Sequence, residues 1–87
     1  MSAEALTDKY IATMEKNMKN MHRTQGSIII SETCANDLMG YVETYLADAK
    51  YFRSQKHFET SLTSVAYCEG LLDALVLIGA IKVASAQ

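Results

Sequence analysis

The side chains that could do chemistry in this chain are few, and their spacing tests each one. Asp37, Glu69 and Asp73 are the first set. Carboxylates brought together can bind a hard cation or hold a proton, so these three form a candidate polar cluster for a metal or small ligand. No helical Glu-x-x-His pair and no Asp-rich loop accompanies them. The expectation is therefore that Glu69 accepts a hydrogen bond from a tyrosine such as Tyr41, with Asp73 at the solvent margin. Arg53 and His57 read Arg-x-x-x-His, one residue short of the Arg-x-x-x-x-His ribonuclease signature of helical nucleotide-binding domains. His22 and His57 read as solvated residues at helix ends. Cys34 and Cys68 have no zinc spacing and no CxxC. Lys9, Lys16, Lys19 and Arg23 make a basic stripe that could touch phosphates. Glu15 and a net charge of −2 dilute it, so it is read as a solvated face and nucleic acid is not expected as a partner. We expect no catalytic set, no bound metal and no cofactor.

The elements that would position these residues are helices. The chain has 87 residues, no Pro, four Gly and five Met, with 49% hydrophobic and 21% charged residues. That balance suits one small domain over residues 1–87 and supplies no turn chemistry for strands. The opening MSAEALTDKY lacks the basic-then-apolar run of a signal peptide. The apolar run Leu71–Ile81 is broken by Asp73 and falls short of the ~20 residues of a membrane span. The expectation is a cytoplasmic protein that does not engage a membrane.

At about 100° per residue, three helices are predicted, over about residues 3–22, 32–53 and 57–78. In the first, Leu6, Tyr10, Met14, Met18 and Met21 share a face with Ile11 beside them, a sticky but adaptable surface. Gly26 suggests a helix stop, and Ser27 or Ser31 an N-cap for the second helix. Ile28, Ile29 and Ile30 are expected to plug one end of the bundle or to start that helix. The second helix presents Leu38, Val42, Tyr45, Leu46, Ala49 and Phe52, with Tyr41 at the margin. A turn of Ser54–Lys56 forces the third helix antiparallel, with Phe58, Leu62, Val65, Leu72 and Val76 facing inward. Ala66, Gly70 and Ala74 recur every four residues, which suggests close approach of another helix. Gly79 is placed as the left-handed residue of a Schellman ending, and Val83–Gln87 as a frayed tail. The fold class is all-α, an up-down-up three-helix bundle. With the second turn centred on Gln55, Val42 faces Cys68, Leu38 faces Leu72 and Asp37 faces Asp73, while Cys34 lies some 12 Å along the axis from Cys68, too far for a disulfide.

Tyr45, Asp48-Ala49, Phe52, Phe58, then Tyr67-Cys68-Glu69-Gly70-Leu71-Leu72-Asp73-Ala74 and Leu77-Ile78-Gly79 carry a resemblance. Over its C-terminal two-thirds the chain resembles a small archaeal family catalogued as domain of unknown function 357. Members read Tyr-Ala-x-Gly-(Trp or Leu)-Leu-Asp-Ala followed by Leu-Gly. Here Cys68 replaces the usual Ala, and Lys56-His57 replaces a Gly-Asp-like turn. The resemblance implies a three-helix bundle and no established activity.

The apolar excess points to association. Tyr67, Leu71, Leu75 and Ile78 widen the greasy arc of the third helix, and leaving such side chains in water forgoes roughly 1.5–3 kcal/mol each. Leu71, Leu75 and Ile78 are therefore the candidate interface. The expected function is a non-catalytic interaction module that associates with itself or docks another protein. The alternatives are metal or small-ligand binding at the acids, and weak RNA association through the basic face.

Overall fold

The computed structural model describes residues 2–84; Ser85, Ala86 and Gln87 of the expected tail lie outside them. The chain is all-helical, with α1 over Ala3–Asn20, α2 over Glu32–Ser54 and α3 over Phe58–Leu77. Ser2 caps α1, its Oγ accepting from the Ala5 N–H at 3.1 Å, and Ser31 caps α2 through the Cys34 N–H at 3.0 Å. Each hydroxyl satisfies an N–H that has no partner inside its own helix.

Two of the three helix ends share one device. After α3, Gly79 has φ +80°; its N–H donates to the Val76 carbonyl and the Ala80 N–H to the Leu75 carbonyl. This is the Schellman pair, and the returning Ile81 packs on the core. After α2, Lys56 takes φ +62°, its N–H donating to Arg53 and the His57 N–H to Phe52. Lysine thus occupies a left-handed position that glycine adopts without strain. Aromatic contacts brace this turn: the His57 ring stacks on Phe52 at 6.4 Å, and the Arg53 guanidinium sits 5.4 Å from the Phe58 ring centre. Both members of the Arg-x-x-x-His spacing are thereby engaged in the hairpin turn.

The packing between helices is that of α2 on α3. Val42, Ala49, Cys68 and Leu75 are its buried apolar side chains, with Leu38, Met39, Tyr45 and Leu71 half-buried against them. Its register is set by the turn. The Ser61 hydroxyl donates to the Ala49 carbonyl at 2.7 Å, and the Cys68 thiol to the Val42 carbonyl at 3.2 Å. Small side chains seven residues apart on α3 let the backbones approach, and each spends its polar atom on the facing helix, so that burial leaves nothing unpaired.

The inward stripe of α2 is the expected one except for Leu46, which is 43% exposed. On α3 the stripe differs. Phe58, Leu62 and Val76 are exposed, Val65 and Leu72 half-buried, and Ser61, Cys68 and Leu75 buried instead. Because α3 is apolar nearly all round, hydrophobic periodicity does not single out one face; close approach and paired hydroxyl and thiol groups do.

Helix α1 contributes no buried residue. It ends at Asn20, with Met21 extended, so Gly26 is a bend of the connector and not a helix stop. Ile28, Ile29 and Ile30 form no plug: Ile29 is 96% exposed and all three precede α2. The Ala66–Gly70–Ala74 stripe also faces outward, and a Cβ built on Gly70 would meet nothing within 4 Å. Gly70 lies about 160° round the helix from Cys68, so α2 cannot reach it.

Candidate functional site: an apolar cleft between α1 and α3

The acids do not assemble. Asp37, Glu69 and Asp73 are all exposed, and among the described residues no group of three metal-ligating side chains comes together. Asp37 and Asp73 share an axial level but point outward, about 140° from Val42 and about 160° from Leu75 on their helices. Antiparallel register matches height along the hairpin; it does not turn side chains toward each other. Glu69 and Tyr41 are likewise both exposed, and the hydrogen bond expected between them does not form among the described residues. Cys34 is exposed, Cys68 buried, and both are free.

The candidate interface separates in the same way. Leu75 is 1% exposed, the most deeply buried side chain of the core, and Leu71 packs half-buried beside it. Only Ile78 is open, at 52%. Leu75 is therefore a core residue, clustered with Val42 and Cys68 and flanked by the returning Ile81.

Open apolar surface lies elsewhere. Leu6, Tyr10, Ile11, Met14 and Met18 line one wall of a cleft of about 1190 Å³, and Leu62 of α3 stands on the other. Glu59, Thr60 and Thr63 edge the α3 side, with Glu15 and Lys19 at the rim of α1. Tyr10 is 61% exposed and Met14 57%, far above what a core face leaves in water. The methionine-rich face is readable from sequence; that no helix among the described residues covers it is not. Leu62, expected to face inward, stands on this cleft and is 69% exposed.

By length and composition α3 also meets the requirement for a membrane span, with mean hydropathy 1.2 over its most apolar 18 residues. A 20-residue helix is ~30 Å long, about a hydrocarbon core. Glu59, Glu69 and Asp73 stand on it, and one side of it is the partner of α2. Core helices that are mostly buried pass the same test, but only 17% of this stretch is buried, so the hydropathy of α3 registers apolar surface beyond what α2 covers.

No curated protein and no solved structure matches the chain. The model of a family described as a protein of unknown function, DUF357, matches residues 9–81. The match begins inside α1, runs through the α2–α3 hairpin and ends at Ile81, the residue that folds back onto the core. It thus takes in most of the cleft as well as the hairpin, and the chain belongs to the DUF357 family.

Proposed function

We propose that this protein is a non-catalytic interaction module, working through the apolar face of α1 and the adjoining wall of α3. One observation carries the reading: Leu6, Tyr10, Met14 and Met18 face Leu62 across a cleft that no other part of the described chain fills. Exposed apolar surface of this extent is a feature of association sites, and methionine suits such a surface because its unbranched side chain adapts to the shape of a partner.

The test is to measure the apolar face directly. An apolar fluorescent dye titrated into dilute protein should bind, and Met14→Glu should abolish most of that binding while the far-ultraviolet circular dichroism of the hairpin persists. A partner or second copy that fills the cleft should compete with the dye. Absence of dye binding in a monomer whose α1 amides are strongly protected from hydrogen exchange would mean that α1 folds onto its own hairpin, and the module reading would fail.

A further inference from the structure

We infer that the occupant of the cleft is a second copy of this chain, with α1 of each copy lying antiparallel on α1 of the other and against the Leu62 wall of its α3. This inference rests on the interaction-module reading and names its partner.

Two observations lead there. The first is area. The chain exposes 7735 Å², whereas a compact monomer of this mass exposes about 5100 Å². Its radius of gyration is 15.9 Å, against about 12 Å for a compact chain of this length. The extended connector accounts for part of the excess of roughly 2600 Å², but a stable interface needs only about 800 Å² per partner. There is room within the excess for a dimer interface.

The second is symmetry. Beside Ile11, one face of the first helix and its C-cap carries Ala3, Leu6, Tyr10, Met14, Met18 and Met21. Their intervals of three, four, four, four and three residues read the same in both directions. Reversal about Ala12 brings Ala3 level with Met21 of the second copy, Leu6 with its Met18, and Tyr10 with its Met14. In a two-fold contact each residue i that meets j is also met by it, so keeping apolar side chains on apolar side chains throughout demands a face that reads the same when reversed. Packing of α1 on its own α3 places no such demand. Ala12 itself lies on the far side of the helix, leaving the contact to the larger side chains. Over the 18 residues of α1, the paired faces run for about 27 Å.

The experiment uses the full chain. Sedimentation equilibrium from low to high micromolar concentration should give twice the chain mass, and raising the salt should change the dissociation constant little, since apolar contact is not screened. Tyr10→Glu or Met14→Glu should weaken the dimer roughly a hundredfold or more, whereas Lys16→Glu on the opposite face should not. These sites are not in the buried core, and circular dichroism checks that the hairpin stays folded. The orientation is read by oxidation in a Cys34→Ser background. Chains carrying Tyr10→Cys mixed with chains carrying Met14→Cys should cross-link to each other faster than either does to itself. A monomer at every concentration would overturn the inference. If that monomer still binds apolar dye at α1, the module reading survives without the second copy; if its α1 is protected and dye-free, both fall. A dimer indifferent to Tyr10→Glu and Met14→Glu would also overturn it, as would equal self-linking of Tyr10→Cys chains. Sedimentation only with added lipid vesicles would replace the second copy with a membrane surface.

Discussion

Lys56 is where a single residue carries the clearest local cost. Its φ of +62° places Cβ in the crowded left-handed region, where a non-glycine residue is disfavoured by roughly 1–2 kcal/mol. Its N–H bond to Arg53 and the neighbouring His57 bond to Phe52 hold it there. Lys56→Gly removes the crowding but gives the unfolded chain more freedom. The net expectation is a gain of ~0.5–1 kcal/mol, read as a higher urea midpoint with an unchanged slope. Ser61 poses the opposite case. Its hydroxyl is buried, and its partner carbonyl on Ala49 lies inside α2. Ser61→Ala should lose ~0.5–1.5 kcal/mol, whereas Ser61→Leu should lose more by forcing the helices apart. If Ser61→Leu unfolds at the wild-type midpoint, close approach at this level is not what holds the hairpin.

At the scale of the element, α3 is a helix with two apolar faces of unequal consequence. Leu75 is 1% exposed and Leu77, two residues on, is 86% exposed. Leu75→Ala should cost ~2–5 kcal/mol, because its site is bounded by Val42, Cys68 and Ile81 and cannot easily collapse. Leu77→Ala should fall within about 0.5 kcal/mol of wild type. Gly70 belongs with Leu77: it is helical, exposed and uncrowded. Gly70→Ala should therefore stabilise by ~0.5–1 kcal/mol through helix propensity. Thermal midpoints of the three variants rank the two faces, and a loss at Gly70→Ala would show that a helix does sit over the small-residue stripe. The hairpin itself was legible in its sequence. A serine cap at Ser27 or Ser31, of which the structure uses Ser31, Gly79 as a left-handed stop, and the pairing of Val42 with Cys68 are all consequences of turn chemistry and of 1.5 Å of rise per residue. The inward face of α3 was not legible, since nearly every face of it is apolar and only the fit of Ser61 and Cys68 against carbonyls of α2 selects one.

For the whole molecule, the question is how a small chain closes its core. A hairpin of two helices has two open flanks, and here α1 stands beside one of them without burying a residue. If a second copy supplies the missing cover, folding and association are linked, and the melting temperature rises with protein concentration. A tenfold dilution should then lower the thermal midpoint by a measurable few degrees, and the shift should vanish in Met14→Glu. A midpoint independent of concentration would place the stability of the molecule in the α2–α3 hairpin alone.

By itself the sequence determined the helices, the left-handed ending at Gly79 and the antiparallel level of α2 on α3. These are consequences of local propensity, of one tight turn and of a fixed rise per residue, all of which act over short stretches of chain. It also carried the family, through residues concentrated on the hairpin. Only the tertiary structure decided that Leu75 is core, that Asp37, Glu69 and Asp73 point apart, and that the open surface belongs to α1 and the Leu62 side of α3. Those outcomes depend on the rotation of one helix about its axis against another. A nearly uniform apolar helix leaves that rotation free until the backbones meet and each small polar side chain finds its carbonyl.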